Sequence, residues 1–513
     1  MKKSNRILAA LLTLLTLLSV FVACGDNTQG DPQQEETPAD VTTIAPPEDD
    51  QTDAPIVETT PVETERSEIK DNLPDDFNLG GKVITILTRN GNYRTLDIDG
   101  GGTTSGEVVS DAVYQRTLAV EERLGFKFNV IENADGYEVI GTQLSNTVNS
   151  GDDIYQIASI SCNGTMGMSL DYIFQPVQDS MYLDLDQPWW WKEAILEGSM
   201  DGKTVRYFFG DANLTAYNYS GAMLFNKALF ENGIGSTDDF YQLVLDRKWT
   251  FDKMAEYAQQ LRQDLNGNET VDIDDLHGLY LDTKEYIKFF EYATDLRRYT
   301  RGENGLPIID YDVDKATSIL EKLYGLIKNT PGVYWDPAER SRRRDVFANG
   351  NAVFYATILG DAYNATIRNM SDPYGIIPYP MLDEAQGEYN TFIHNSSATF
   401  AIPITNKDPE SSCAALEALC AESYRSVIEV YFETGLKTKY SADSKSAQCI
   451  DIIRKVTKKH LLSSYSAQVD GSGFWITDQI TSNSTNFAST YAVKARSANR
   501  KLEKLFDSLN YTE

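Results

Sequence analysis

The segment "DQPWWWKEAI" places Trp189, Trp190 and Trp191 side by side in a chain that has only six tryptophans. Flat aromatic faces can stack against the apolar faces of a ligand such as a sugar, and they can equally fill a core. In an extended segment Trp189 and Trp191 point one way and Trp190 the other. We therefore predict that one or two rings, from Trp190 and Trp191, reach a ligand while the rest of the trio packs inside.

Two further tryptophans stand alone in loops that contain glycine or proline. Trp335 precedes Asp336, and Trp475 lies in "GSGFWITDQI". Isolated rings of this kind fit a ligand site and a core equally well. Both are candidate ligand-binding residues on the same chemical grounds as the trio.

Oxygen-bearing side chains recur at positions 1, 3, 5, 7, 9 and 12 of "DLNGNETVDIDD", residues 264–275. The six are Asp264, Asn266, Asn268, Thr270, Asp272 and Asp275. This is the ligand spacing of an EF-hand or dockerin calcium loop. Glu269 takes the sixth position, where glycine normally makes the sharp turn. The spacing predicts a structural Ca²⁺ site, and the alternative is an acidic turn without metal.

Residues that build common catalytic centres are scarce. The chain has three histidines and contains no HExxH, CxxC or GxSxG motif. Four cysteines besides Cys24 are expected as buried thiols, since a fold of roughly 435 residues does not need disulfides; they are Cys162, Cys413, Cys420 and Cys449. We expect no enzyme activity and no required cofactor.

The first 24 residues have the form of an export signal. Lys2, Lys3 and Arg6 precede an apolar run that ends in "FVAC" at Cys24. This ending resembles a bacterial lipobox, which predicts cleavage and diacylation of Cys24, whereas the alternative is an ordinary signal with an incidental cysteine. Two or more acyl chains would hold the protein at a membrane surface.

Residues 25–78 differ in composition from the rest of the chain. Between Gly25 and Asp76 there are 16 acidic residues against only Arg66 and Lys70. Such a segment buries too little apolar surface to fold, so we predict a disordered tether. The formal net charge of the whole chain is −30. This acidity argues against nucleic acid as a partner.

The order of predicted elements indicates an α/β fold. Strands are predicted in "GKVITILTRN", "FKFNVI" and "DIYQIASIS", which are short apolar runs with β-branched residues. Helical spacing occurs between them, in "SGEVVSDAVYQRTLAVEERLG", which Gly125 is placed to end, and in "YEVIGTQLSNTVNSG". This alternation predicts a parallel sheet covered by helices.

The same alternation returns in the second half of the chain. Strands are predicted in "SGAMLFNKALFENGI", "DVFANGNAVFYATI" and "YGIIPYP". Helices are predicted in "TFDKMAEYAQQLRQD", capped by Thr250, and from Pro409 to Leu436. Because roughly 435 residues exceed what one core usually holds, we predict two α/β lobes.

Eight segments occur in a recognisable order: "TILT", "NSGDDIYQI", "DGKTVRYFFGD", "AMLFNKALFENGI", "WTFDKMAEYAQQL", "FANGNAVFYATILGDA", "GIIPYP" and "AIPITNKDPESSCAALEAL". Together, over roughly residues 80–440, they resemble the extracellular solute-binding lipoproteins of bacterial ABC importers, in the maltose- and multiple-sugar-binding group (family 1). "PWWW" followed by "YFFGD" looks similar to a branch common in anaerobic Gram-positive bacteria. Residues 441–513 match only loosely.

The resemblance implies a periplasmic-binding-protein-like type II fold, in which two α/β lobes are joined by crossing segments and a hinge and close over a cleft. The lobes are expected at residues 79–221 plus 391–440 and at residues 222–390 plus 441–513. It further implies a monomer on the extracellular face of the cytoplasmic membrane, attached only by its lipid. The implied partners are a saccharide and the permease subunits of an ABC transporter.

The resemblance also implies where a ligand binds. In this family the loops after the first and third strands lie at the cleft mouth, and a later segment, here "ATILGDAYNAT", carries a stacking aromatic. The corresponding residues are Arg89, Asn90, Tyr93, Ser161, Asn163, Thr165, Asp361 and Tyr363. Helix capping is the alternative role of the polar ones. The basic "ERSRRRD" segment, residues 339–345, is expected as a solvated helix face, with recognition of an acidic sugar or of the permease as the alternative.

Other functions compete with carbohydrate capture for import. A surface glycoside hydrolase also has aromatic rings and carboxylates around a cleft, although the element order does not fit a barrel. A surface polysaccharide-binding protein without a transporter is a further alternative. Among binding proteins, a peptide or another solute is the second ligand class.

Overall fold

The computed structural model describes residues 66–134, 136–335, 342–437 and 444–510. The signal, Cys24 and the tether up to residue 65 lie outside these ranges. No helix within them is long and apolar enough to cross a membrane. Residues 66–78, assigned above to the tether, pack against the first lobe. Leu73 is buried there, and both terminal nitrogens of Arg123 donate to Asp71, so the predicted tether is wrong for these residues.

Six of the strands lie in the apolar segments predicted from the sequence, and the described part of the chain contains thirteen strands in all. They are β1 (Val83–Arg89), β2 (Lys127–Asn133), β3 (Ile157–Ser161), β4 (Gly221–Asn226), β5 (His277–Leu281), β6 (Tyr299–Arg301), β7 (Pro307–Ile309), β8 (Val333–Trp335), β9 (Ala352–Ile358), β10 (Tyr374–Ile377), β11 (Thr391–Phe392), β12 (Ala398–Ala401) and β13 (Thr457–Lys458). The six strand-bearing segments named from the sequence are all confirmed.

Helices follow most of these strands. They are α1 (Asn92–Thr95), α2 (Val108–Leu124), α3 (Tyr137–Asn149), α4 (Cys162–Ser169), α5 (Lys192–Gly198), α6 (Leu214–Asn218), α7 (Lys227–Gly233), α8 (Thr237–Leu245), α9 (Phe251–Ala258), α10 (Lys284–Tyr292), α11 (Val313–Tyr324), α12 (Arg343–Ala348), α13 (Ala365–Arg368), α14 (Pro409–Glu422), α15 (Ser444–Val456), α16 (Leu461–Ser464), α17 (Trp475–Thr481) and α18 (Phe487–Asn510). Beyond α14 the chain continues in π-helical turns through Lys437.

The first lobe contains a four-stranded sheet in the order β12-β3-β1-β2. β1 is parallel to β2 and β3, and Ile86 lies opposite both Val130 and Ile157. The later strand β12 joins antiparallel to β3. Because β1, β2 and β3 are parallel, their carboxyl ends meet at one edge, which carries the loops after Arg89 and Ser161.

The second lobe contains a five-stranded sheet in the order β10-β4-β9-β5-β8. β5 is parallel to β8 and β9, whereas β4 is antiparallel to β9 and β10. The Trp249 and Phe354 rings stack in its core with centroids 5.5 Å apart. Thr250 caps α9, as predicted, by accepting the backbone N–H of Lys253. The two-lobe α/β architecture is confirmed.

Three chain segments run side by side between the sheets. The backbone N–H of His394 donates to the carbonyl of Tyr219 at 3.0 Å, and that of Ile393 donates to the carbonyl of Lys458 at 2.9 Å. Tyr219 lies just before β4, Ile393 and His394 follow β11, and Lys458 is the last residue of β13. The three crossing segments are therefore hydrogen-bonded to one another, and we call them the crossing strip. The crossing segments implied by the resemblance are therefore present.

The last part of the chain contacts both lobes. Helix α15 packs against α8 and β10, and α18 packs against α11 and β7, which are elements of the second lobe. Helix α16 instead contacts α4 and α5 of the first lobe. Ile160 of β3 and Phe289 of α10 belong to one apolar cluster together with Leu461 and Tyr465. The lobes are thus also joined through residues 461–465. The four predicted thiols are buried and do not form disulfides with one another, as expected.

Candidate functional site in the interlobe cleft

A set of polar and aromatic side chains gathers where the carboxyl ends of β1 and β9 approach the crossing strip. Tyr93, in the loop after β1, donates its hydroxyl to the carbonyl oxygen of Ser396. Its phenol is close enough to that of Tyr219 for each to influence the pKa of the other. The Tyr219 ring in turn stacks on His394, with centroids 6.2 Å apart and planes inclined by 30°. We call this region the interlobe cleft.

The electrostatics of Tyr219 identify which charges lie near the cleft. Burial raises the pKa of its phenol, and Asp361 acts in the same direction. Arg89 and Arg343 oppose this by favouring the phenolate. Arg89 belongs to the first lobe, whereas Arg343 and Asp361 belong to the second. Charges from both lobes therefore act on one residue of the crossing strip.

Glu285 and His394 form a polar pair beside Tyr219. The backbone N–H of Ser396 donates to His394 Nδ1 at 3.1 Å, so Nε2 carries the proton and donates to Glu285 Oε2 at 3.0 Å. Lys288 Nζ donates to the same oxygen at 2.7 Å. Burial raises the pKa of Glu285, but hydrogen bonds and charges from His394 and Lys288 outweigh it and lower the pKa to about 2. Glu285 is therefore a carboxylate at neutral pH.

Asp361 organises the second-lobe side of the cleft. Arg344 donates to its Oδ1 through Nε at 2.9 Å and Nη2 at 2.7 Å. The hydroxyls of Tyr355 and Thr357 donate to Oδ2 at 2.9 and 2.6 Å. The Asp361 side chain is 1% exposed. Its expected contact with a ligand is not available in this conformation, because both oxygens are used to hold neighbouring side chains.

A cavity of about 610 Å³ opens between the two lobes next to this cluster. The loop and helix after β1 contribute Asn92 and Val108, and the second lobe contributes Arg344 and Tyr363. Tyr363 donates its hydroxyl to the carbonyl of Tyr431 at 2.5 Å, which leaves the half-buried ring at the cavity wall. The structure thus brings together the loop after β1 and the "ATILGDAYNAT" segment, which the resemblance placed at the ligand.

The loops after β1 and β3 contribute unequally. Arg89 and Tyr93 lie at the cleft, and the neighbouring Asn90 is exposed. Asn163 is exposed at the start of α4. Ser161 and Thr165 are buried, and Thr165 donates to the carbonyl of Ser161 while accepting from Thr399. Both serve the packing of α4 against the sheet.

The tryptophan trio does not alternate, because residues 185–189 form turns instead of an extended strand. Trp189 and Trp190 both point into the first-lobe core, and their indole N–H groups donate to Glu417 at 3.1 and 2.7 Å. Trp190 is 5% exposed, so its ring does not reach solvent where a ligand could meet it. Trp191 differs: it donates to Asp211 at 3.1 Å and packs edge-on against Tyr217.

Trp191 lines a larger cavity of about 1210 Å³ between α5 and α15. Its charged lining residues are Arg66, Glu193, Glu197, Asp211, Asp451, Arg454, Lys455, Lys458 and Lys459. Opposite charges therefore already face each other across it. The interlobe cleft is the better candidate site despite its smaller volume, since ligands of α/β proteins bind at the carboxyl ends of the sheet strands.

The two isolated tryptophans also have internal partners. Lys328 Nζ lies 4.1 Å from the ring centroid of the half-buried Trp335. Trp475 is fully buried at the start of α17, where its indole N–H donates to the carbonyl of Asp470 at 2.9 Å and its ring stacks on Tyr311. Trp475 is therefore a core residue in this conformation.

The 264–275 loop is closed by its own amides. Asn266 and Asn268 donate side-chain N–H groups to Asp272, and Asp264 accepts the backbone N–H groups of Gly267 and Glu269. Glu269 adopts the left-handed conformation with φ 60°, the conformation for which glycine is usual at this position. Within the described residues no three His, Cys, Asp or Glu side chains cluster so as to hold a metal. The calcium site stays a prediction.

Several cleft residues carried no usable sequence signal. Tyr219 and His394 lie in crossing segments, whose position depends on how the lobes pair. Glu285 follows β5, and only its place after a strand end could have suggested it. The "RRR" run did carry a signal, and Arg343 and Arg344 are turned inward toward Asp361 instead of forming a solvated helix face.

Comparison with known proteins identifies the fold. No protein-family model matches the chain, and no curated protein matches it. UgpB from Mycobacterium tuberculosis in complex with glycerophosphocholine matches with a TM-score of 0.51 at 11% identity, over 84% of this chain and 99% of UgpB. A de novo designed esterase matches with a TM-score of 0.52 at 12% identity, over 83% of this chain and 99% of its own.

A family 1 extracellular solute-binding protein from Alicyclobacillus acidocaldarius also matches, at 10% identity with a TM-score of 0.48, over 84% of this chain and 99% of its own. The chain has the type II periplasmic-binding-protein-like α/β fold that UgpB has. At these identities the likeness concerns the fold alone. The function has to be argued from the cleft.

Proposed function

We propose that this protein is an extracellular solute-binding protein that captures a carbohydrate in the interlobe cleft and delivers it to the permease of an ABC transporter. The observation that carries the proposal is the position of the cleft. Its cavity is lined by Asn92 and Glu107 of the first lobe and by Arg344 and Tyr363 of the second, so that a bound solute would contact parts that can move relative to each other. A docking surface could then distinguish loaded from empty protein.

The chemistry of the cleft supports a carbohydrate ligand. Tyr219 and Tyr363 have half-buried rings that combine flat faces with hydroxyls, and tyrosine has few rotatable bonds to restrict on binding. Tyr93 is 4% exposed in this conformation and supports the cleft from behind the Arg89 guanidinium. Sugars present both apolar C–H faces and directional hydroxyls. Arginine and carboxylate groups beside the rings supply hydrogen bonds of defined direction.

The N-terminal sequence suggests where in the cell the protein works. We propose that Cys24 is diacylated and that the acidic segment after it holds the folded part away from the membrane. Both lie outside the described residues. Mass spectrometry of the exported protein tests this step directly, and a mature chain that retains residues 1–23 or lacks acyl groups would contradict it.

A thermal-shift screen against mono- and oligosaccharides and peptides tests the function. A ligand at 100 times its Kd stabilises the folded state by about 2.7 kcal/mol. We expect at least one saccharide to raise Tm, to be recovered chemically unchanged, and to give a smaller shift with Tyr363→Ala. Tyr324→Ala is the matched control, since Tyr324 is also half-buried but lies on α11 away from the cleft. A shift with peptides and with no saccharide would refute the carbohydrate assignment.

A further inference from the structure

The interlobe cleft concentrates positive charge in a strongly acidic protein. The chain has a formal net charge of −30, yet Arg344 lines the cleft cavity, Arg343 lies beside it next to Asp361, and Arg89 lies over the Tyr93 ring on the first-lobe side. A guanidinium is costly to bury unless its position serves an interaction. The arrangement therefore calls for an explanation beyond surface solvation.

The two second-lobe arginines are held in place by buried carboxylates. Arg344 donates two hydrogen bonds to Oδ1 of Asp361, and Arg343 lies with Nε 3.9 Å from Asp361 and Nη1 3.8 Å from Asp282. The Arg343 side chain is 18% exposed. The hydroxyls of Tyr355 and Thr357 donate to Asp361 and hold its carboxylate in place. The carboxylate in turn orients the neighbouring guanidinium groups without a ligand. Groups positioned in this way bind with little loss of side-chain entropy.

The first-lobe arginine has a different environment. The Arg89 guanidinium lies 5.5 Å from the ring centroid of Tyr93. Among the described residues no carboxylate lies within 4.0 Å of it. Three guanidinium groups, of Arg89, Arg343 and Arg344, thus accompany two carboxylates, of Asp361 and Asp282. Glu285, held by His394 and Lys288, is a further charged group beside Tyr219. Within the described residues, Arg343 and Arg344 lie next to carboxylates, whereas no ion pair joins Arg89 to one.

We propose that the cleft recognises an anionic saccharide, whose oxyanion is held between Arg89 of the first lobe and Arg343 and Arg344 of the second. The inference rests on the proposed function and adds to it the chemical class of the ligand. The planar guanidinium matches the two oxygens of a carboxylate or of a phosphate ester. Because the arginines come from opposite lobes, one oxyanion would also favour the closed arrangement of the lobes.

The test compares matched neutral and anionic sugars on the full exported chain. Hexoses, hexuronates and hexose phosphates, as single sugars and as oligosaccharides, are titrated by calorimetry at low and high salt. We expect an anionic member to bind at least tenfold more tightly than its neutral counterpart, and its binding to weaken with salt. Preference between the uronate and the phosphate distinguishes the two sources of the oxyanion.

Variants assign the preference to the arginines. Arg89→Gln and Arg343→Gln should each weaken binding of the anionic sugar by about tenfold or more, while leaving any binding of the neutral one unchanged. Arg247→Gln removes the same charge at an exposed site outside the cleft and should change neither. If Arg343→Gln does not fold, Arg89→Gln still tests the proposal. Within the described residues Arg89 forms no ion pair with a carboxylate, so its replacement leaves no buried carboxylate unpaired and should not prevent folding.

The outcomes separate this inference from the function on which it rests. Equal binding of neutral and anionic sugars, or an anion preference that survives Arg89→Gln, overturns the anionic class and leaves solute capture intact. Failure of every saccharide to bind overturns the proposed function, and this inference falls with it.

Discussion

Asp97 is a buried carboxyl that connects three parts of the first lobe. It follows α1 and accepts the backbone N–H of Thr215 at 2.8 Å and its hydroxyl at 2.5 Å. Thr215 Oγ1 accepts the backbone N–H of Ala398 at 3.0 Å. The loop after β1, helix α6 and strand β12 therefore meet at one hydroxyl. Burial raises the Asp97 pKa from 3.8 to about 7, although the Thr215 bonds and the Arg116 charge act against it.

This shift predicts that Asp97 links stability to pH. The folded state keeps the proton up to about pH 7, and the unfolded state loses it near pH 3.8. The stabilisation is therefore complete below pH 3.8 and is lost as pH rises toward 7, by up to about 1.4 kcal/mol per pH unit. Asp97→Asn keeps an oxygen acceptor for Thr215 and should flatten that decline. Urea unfolding of both proteins from pH 4 to 7 measures it, and parallel curves would contradict the assignment.

Glu417 explains why the three adjacent tryptophans do not form the ligand surface that the sequence suggests. Burial raises its pKa to about 8, even though the indole N–H groups of Trp190 and Trp189 and the backbone of Asp184 favour the charged form. Two rings are therefore committed to a partner more than 200 positions later in the chain. Nothing local to "PWWW" carries that information. The turn that orients the rings also breaks the alternation expected of a strand.

At the scale of elements, local signals are reliable where one residue decides a boundary. Gly125 ends α2 with φ 61°, and its N–H bonds the carbonyls of Glu121 and Glu122. A left-handed residue at this position is a common helix ending, and glycine adopts it without a steric penalty. The sequence alone therefore places this end correctly. Thr250 at the start of α9 is a second case, since its side-chain bond to Lys253 is local.

A glycine pair tests the boundary at α2. Gly125→Ala should lower the free energy of unfolding by about 1–2 kcal/mol, because a β-carbon disfavours positive φ and would lie 2.4 Å from the Asn78 side chain. Gly136→Ala is the matched control: Gly136 precedes α3 with φ −65° and has open space around its β-carbon position. Chemical denaturation measures both. Equal effects would show that the left-handed conformation is not what costs stability at residue 125.

At the scale of the molecule, the sequence predicts the elements of each lobe but not how the two lobes come together. Strands such as β1 and β9 are buried on both faces, so each is a largely apolar run of residues that can be recognised from neighbouring positions alone. The cleft depends on how distant segments meet. Arg89 and Arg343 are separated by 254 positions, and both act on Tyr219 only because three crossings lie side by side. The sequence could suggest the fold and could name Arg89 and the "RRR" run separately, but it could not show that they come together at one cleft.

The arrangement of the lobes also predicts how they respond to a ligand. Arg368 of the second lobe and Glu107 of the first approach to 3.6 Å at the cleft rim, with 41% and 70% of their side chains exposed. A pair this exposed adds little to stability, so Glu107→Gln should change binding of a neutral ligand by less than about fivefold. The apolar contacts through Leu461 and Tyr465 should keep the lobes associated when the cleft opens. Small-angle scattering with and without a bound saccharide measures the change. A smaller radius of gyration in the bound protein, preserved in Glu107→Gln, is the expected result, and an unchanged radius on saturation would mean that capture does not involve closure.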